Sequence, residues 1–407
     1  MLVALLLALP AGALPLEEAV RIGVARDPRV QGAVAEVQQS EGELSVSRTG
    51  YWPTVSAWTG PQSGGTAYEV TIAQMLYDFG RVRSRVDAGS ARVREALASL
   101  AVTREEVALE VAEVWLGLRE AAALVAAIES HLGRLDELEA LGRQRGEGGY
   151  ADRSELARIR SRLGAVEAEL ALAQSEQGDL QAQFLELVGR LPQGPMPEPR
   201  AFDLLGPLPG PAALDAAVAA APAVVRDRAA EDAAEAGIAE AEASRWPQLN
   251  LEGSVLRREI GGRLTNDSTI ALRLRMDAFQ GPSTWRRVGV ERSRREVAQF
   301  QVQRSRREIR RAVGVLAATL PPLRARRRAL EEQVVELERT REVYMDQFLV
   351  GMRGVADLLT VESEWLQATR ERITLDAEPL RLQYRAAAHL GRLADHLQAA
   401  SLHGDAG

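Results

Sequence analysis

The chain has 407 residues with no Cys and no Lys, so its 50 basic residues are all Arg. Set against 57 acidic residues they leave a formal charge of -7, which gives no support for a nucleic-acid partner. The missing thiols exclude disulfides, thiolate catalysis, Cys-ligated metals and a Cys-linked lipid.

Aromatics are 4 % and charged residues 26 % of the chain, with Ala, Leu, Val, Glu and Arg dominant, which favours long amphipathic helices. Met1 to Leu14 is an apolar run ending in Ala11-Gly12-Ala13, and residues 1–13 read as a signal peptide without the usual positive residues before it. Beyond it no run of about 20 apolar residues occurs, so a bilayer would have to be crossed by strands. Trp52-Pro53 opens the first strand, since Pro is tolerated where its missing N–H need not break a ladder. Val55, Ala57 and Thr59 fall on one face, and Thr54, Ser56 and Trp58 on the other. After a turn at Gly60 to Gly65, Tyr68, Val70, Ile72 and Gln74 alternate with Glu69, Thr71 and Ala73, which completes a hairpin over about 51–78.

A long helix pair follows over about 81–190, with no Pro from Gln62 to Leu191. Val107, Val111, Val114, Leu118, Ala121, Val125, Ile128, Leu132 and Leu135 alternate spacings of four and three, as do Leu156, Ile159, Leu163, Val166, Leu170 and Ala173. That period is a coiled-coil seam. One helix from Arg81 to Arg145 would run about 100 Å at 1.5 Å per residue. Residues 191–211 are Pro/Gly-rich and read as a connector.

The same landmarks then return in order. Asp27-Pro28 is echoed by Ala221-Pro222, Trp52-Pro53 by Trp246-Pro247, Tyr77-Asp78-Phe79-Gly80 by Met276-Asp277-Ala278-Phe279-Gln280-Gly281, and Gly149-Tyr150-Ala151-Asp152 by Gly354-Val355-Ala356-Asp357. Four matches in one order indicate a duplicated unit, 14–190 and 212–398, followed by a flexible tail at 399–407. The second hairpin spans about 247–277, with Ile270, Leu272, Leu274 and Met276 alternating with Ala271, Arg273 and Arg275. A helix pair over about 283–398 follows it. Pro321-Pro322 and Pro379 are expected to kink or break these helices. Ten Arg against three Glu make residues 286–311 locally +7. Arg286, Arg287, Arg294 and Arg295 are therefore either a basic belt in a lumen or an outer face paired with acids of neighbouring helices. His389, His396 and His403, seven apart, are too widely spaced along a helix to share one metal ion. No nucleophile–base grouping or phosphate loop appears, so neither an enzyme nor a cofactor is expected. Strands of about ten residues with one polar face suit either a water-filled barrel or a small soluble sheet. Two hairpins are too few to close a barrel in one chain.

The two Trp-Pro strand starts, the Tyr77-Asp78-Phe79-Gly80-Arg81 junction and the turn Val350 to Leu359 resemble the TolC family of outer-membrane export proteins over nearly the whole mature chain. The resemblance implies a mostly α fold with a small β part. It further implies a homotrimer with one 12-stranded β-barrel, four strands per chain, continued by a long α-helical coiled-coil tunnel. Such a protein sits in the outer membrane of a Gram-negative-type envelope, in contact with its lipid, and reaches into the periplasm. There it works as a passive conduit opened by a periplasmic adaptor and an inner-membrane transporter. Arg353 matches the family's tip arginine, Asp152 its acidic partner and Asp357 a ring aspartate. Phe348 and Thr360 depart from the family's tyrosine and second acid. Gly146, Gly149, Gly351 and Gly354 fall at the adaptor-facing tips. The chain without Cys points to the non-lipidated branch used in type I secretion, with small-molecule efflux the other use. The competing reading is a periplasmic coiled-coil adaptor or structural protein without a barrel.

Overall fold

The structure, a computed structural model, describes residues 14–62, 65–147, 153–199, 202–206, 210–260, 263–276 and 283–397. The expected signal segment and tail, and the turn holding Gly149 and Asp152, lie outside these residues. The described elements are α1 (Leu16–Arg26), α2 (Pro28–Arg48), β1 (Thr54–Gln62), β2 (Gly65–Tyr77), α3 (Arg81–Glu147) and α4 (Arg153–Val188). They continue with α5 (Gly210–Ala220), α6 (Pro222–Ala243), β3 (Gln248–Ile260), β4 (Arg263–Arg275), α7 (Ser283–Leu349), α8 (Val355–His389) and the short α9 (Leu393–His396). The two halves match in length: 11 and 11 residues for α1 and α5, 21 and 22 for α2 and α6, 67 and 67 for α3 and α7, 36 and 35 for α4 and α8.

The landmarks in the sequence are element boundaries. The Asp27 carboxylate accepts the backbone N–H of Arg29 at 2.7 Å, and Pro28 opens α2 where its absent N–H costs nothing. Pro222 likewise opens α6. Pro53 and Pro247 stand one residue before β1 and β3.

The chain divides into two compact units. One, residues 31–103 with 215–309, holds a four-stranded antiparallel sheet in the order β1-β2-β3-β4. Its register puts Val55, Ile72, Gly253 and Ile270 in one row, and Ala57, Val70, Val255 and Ser268 in the next. A register shift between Met75 and Tyr77 lets β2 bulge against β3. Strands β1 and β4 each leave one edge unpaired within the chain. The other unit, residues 14–30 with 104–214 and 310–397 among those described, is helical. Its apolar seam joins Val125, Ile128, Leu135 and Leu138 of α3 to Ile159, Leu163 and Val166 of α4, and to Phe348, Leu358 and Leu366 of α7 and α8.

Of the kink or break expected at each proline, no break occurs: α7 runs continuously through Pro321 and Pro322, and α8 through Pro379. Each proline removes one intrahelical bond at a cost of about 3 kcal/mol. Flanking helix formers (Ala317, Ala318, Ala325, Arg326) and packing along the whole helix outweigh that local cost. The C-terminal histidines do not share one helix either. Gly391, at φ +70°, separates α8 from α9, so His389 and His396 lie on different elements, and His403 is outside the described residues.

Candidate functional site

The sheet presents two chemically distinct faces. On one, Val55, Tyr68, Val70, Ile72, Val255, Ile270, Leu272 and Leu274 are all exposed, Ile270 at 83 %. An exposed apolar surface of this extent needs a non-aqueous neighbour. On the other, Glu252 is buried, accepts a charge-assisted hydrogen bond from Arg275 Nη2 (2.9 Å) and is ion-paired with Arg273 Nε (3.0 Å), two residues away along β4. Apolar-out and polar-in alternation is the arrangement of a barrel wall between lipid and water.

At the end of the sheet the chain turns into α3 through a tight junction. Asp78 accepts N–H groups from Gly80 (3.0 Å) and Val82 (2.6 Å), which caps the helix. Phe79 is held at φ +57°, a region bulky residues rarely adopt, and Gly80 at φ +88°. Ring contacts of Phe79 to Tyr77 (4.8 Å) and Trp246 (5.3 Å) offset that strain and gather aromatics beside the apolar face. Exposed Tyr51 and Trp52 belong to the same end of the sheet. Such clusters match the aromatic girdle at a membrane–water boundary.

Of the basic stretch, Arg295 approaches Glu231 and Glu235 of α6 (3.8 and 3.7 Å), and Arg294 pairs with Glu291 of its own helix (2.5 Å). Arg286 and Arg287 are exposed and have no carboxylate partner among the described residues.

The other candidate region is the turn between α7 and α8. Gly351 sits at φ +77°. Its N–H reaches Phe348 O at 3.1 Å, and Met352 N–H reaches Gln347 O at 2.8 Å, the two bonds of a Schellman motif. Gly354 has an ordinary φ of -85° and no atom within 4 Å of where a Cβ would sit, so nothing there requires glycine. Gly146 falls in the last turn of α3. Arg353 is occupied within its own turn: Nε donates to Gln347 at 2.8 Å, Nη1 lies 3.5 Å from Asp357, and the guanidinium stacks 3.7 Å above Tyr344. Thr360 bonds its own helix at Ala356 O. Phe348 is fully buried in the seam, where a phenol would have had to find a partner.

Sequence reasoning missed two links. Arg145 of α3 donates to Phe348 O at 2.8 Å and lies 4.4 Å over its ring. His131, the one histidine the seam reading passed over, is completely buried at 3.2 Å from Glu362 of α8. His131 stands one position before the seam residue Leu132, and no heptad marks Glu362 in α8, so no sequence pattern pairs them. Higher on α8, Arg370, Arg381 and Arg385 pair with Glu169, Glu120 and Glu113.

Residues 23–190 match the model of the outer membrane efflux protein family. Protein CyaE of Bordetella pertussis is 26 % identical over 405 residues, covering 93 % of this chain and 85 % of its own. Outer membrane efflux protein BepC of Brucella suis is 20 % identical over 343 residues, covering 81 % and 75 %. The solved open state of the MtrE outer membrane channel of Neisseria gonorrhoeae superposes with a TM-score of 0.78 at 20 % identity, over 93 % of this chain and 89 % of that one. The chain is similar to the outer membrane efflux protein family in its first half and shares the fold of these outer-membrane channels over nearly its whole length. That likeness supports a channel of the outer membrane that extends into the periplasm, a passive conduit and not an enzyme. No described helix is long and apolar enough to cross a membrane, and no described cluster of His, Asp and Glu could hold a metal ion.

Proposed function

We propose that three copies of this chain close one 12-stranded barrel and one helical tunnel, through which cargo leaves the periplasm. The observation that carries this reading is the four-stranded sheet with an exposed apolar face, a charged opposite face and two unpaired edges. Bare edges are aggregation-prone unless closed, and β1 pairing with β4 of the next copy closes them all. Four strands cannot make a barrel, whereas twelve can. The matched lengths of the two halves support the proposed duplication of 14–190 in 212–398. A coiled-coil adaptor without a barrel would have no use for such a sheet.

The partners in this reading are outer-membrane lipid, a periplasmic adaptor, and an inner-membrane transporter that supplies the energy. Cargo is a secreted protein or a small molecule. Val350 and Met352, 71 % and 80 % exposed beside the Gly351 turn, offer the adaptor an apolar foothold. Arg353 and Asp357 are described charges of that tip, and Asp152 is the proposed acidic partner of Arg353. Detergent extracts of membranes test the assembly by electrophoresis before and after heating. Unheated protein is expected to migrate at three chain masses and heated protein at one. Recovery of a soluble monomer would contradict the reading.

A further inference from the structure

Halfway along the apolar seam of the helical unit lies a dry polar node. His131 Nδ1 is 3.2 Å from Glu362 Oε2, Arg134 Nε is 3.3 Å from the same oxygen, and Arg341 Nη1 is 3.3 Å from Oε1. The side chains of His131 and Glu362 are 0 % and 3 % exposed. Arg134 is held by Ser130 (3.0 Å) and stacks 3.9 Å over Trp365, while Arg341 also bonds Glu338 of its own helix. One carboxylate of α8 therefore gathers donors from α3 and α7. Burial alone would raise its pKa, yet the hydrogen bond from His131 and the charges of Arg134 and Arg341 hold Glu362 below the usual carboxylate range.

Above and below, the seam is apolar: Ile128 and Leu135 flank His131 on α3, and Leu358 and Leu366 flank Glu362 on α8. A single buried polar position in such a seam fixes register at some cost in stability. A half-turn of slip would leave a carboxylate facing hydrocarbon. The tip contact differs in kind. Within the α7–α8 turn Arg353 lies against Asp357, with side chains 34 % and 54 % exposed, and water screens the pair.

We propose that the His131–Glu362 node, with Arg134 and Arg341, is an internal latch that positions the α7–α8 hairpin against α3 and so sets the ease with which the tunnel end opens. The proposal rests on the tunnel reading above. Any movement of α8 away from α3 must break the Glu362 bonds to His131 and Arg134. Movement within the α7–α8 hairpin must break the bond to Arg341. The node therefore resists both, while the wet tip pair resists little.

The test is single-channel recording of the purified assembly in planar bilayers. Glu362→Gln removes the charge that all three donors share. It is expected to raise the fraction of time spent in the high-conductance state on the order of tenfold, the size of a typical coupling between two states. Arg353→Ala at the wet tip is expected to change it less. His131→Gln and Arg341→Gln each remove one bond without stranding the carboxylate, and intermediate increases are expected. These two carry the test should Glu362→Gln fail to assemble. Glu362→Asp, which keeps the charge, is expected to restore part of the closed state, a rescue that a mere loss of packing would not produce. Unchanged conductance in assembled His131→Gln and Arg341→Gln overturns the latch. A parent protein that forms no channel at all overturns the tunnel reading instead.

Discussion

Glu105 of α3 accepts the backbone N–H groups of Leu393 (2.9 Å) and Ala394 (3.2 Å), which caps α9 from below. Burial pushes its carboxyl up to about 7, and those two bonds only partly oppose the shift. A carboxyl whose folded value lies above its unfolded value gives the folded state the extra proton. The stability this confers is fully present below about pH 4.5 and is lost as pH rises through 7, an effect of about 3 kcal/mol for a shift of this size. Glu105→Gln keeps an acceptor without the charge. In thermal melts of the detergent-solubilised protein, the variant is expected to match the parent at pH 5 and to melt at higher temperature at pH 8.5. Equal melting at both values would show that Glu105 stays solvated. The heptad pattern alone could not have found this residue, since Glu105-Glu106 reads as a solvated pair until α9 is seen to dock on it.

Among the elements, most of the fold was legible because local chemistry and tertiary structure agree. Alternation specified the strands, 3.5-residue spacing specified the seams, and Pro28, Pro222, Pro53, Pro247 and Gly80 mark helix starts, strand starts and a turn. The failures came where a local rule was outweighed or where the contact was non-local. Pro321, Pro322 and Pro379 break the intrahelical ladder at single points, while dozens of other bonds and the seam keep α7 and α8 continuous. His131 was overlooked because its partner is 231 positions away in sequence, and no spacing rule connects them. Phe348, which in the sequence stands out as a lost hydrogen bond, is a core residue clasped by Arg145.

The strands also give a sharp test of which face meets lipid. Ile270→Arg or Leu272→Arg puts a charge on the exposed apolar face, which costs about 2–4 kcal/mol at mid-bilayer depth. The heat-modifiable form is expected to fall sharply in these variants. Thr269→Arg, one residue from Ile270 on the polar face that Arg273 shares, is expected to assemble normally. Equal assembly of all three would mean that neither face is in the membrane.

For the whole molecule, the two halves share lengths and order but not chemistry. Both long helices hold 67 residues, yet the second carries Pro321, Pro322 and the Arg-rich stretch and leads into the turn that holds Arg353. The links that fasten α8 to the first half invert in sign along its length. Arg385, Arg381 and Arg370 of α8 meet glutamates of α3 and α4, whereas Glu362 of α8 meets His131 and Arg134. A hairpin shifted along its neighbour would thus bring like charges together, which favours a single seated position. Duplication as we propose it provides a symmetric wall, and these unequal side chains determine how its end is held.

A passive conduit needs no chemistry and no energy source of its own, and its closed and open states exchange without a partner, so it conducts at least intermittently when nothing else is present. Conductance of the purified protein in a planar lipid bilayer, without nucleotide, adaptor or pump, reads that property. Discrete current steps are expected that persist at fixed voltage and scale with salt concentration, as water-filled pores require. Protein that inserts stably as a trimer yet passes no current in any salt would show that it is no conduit.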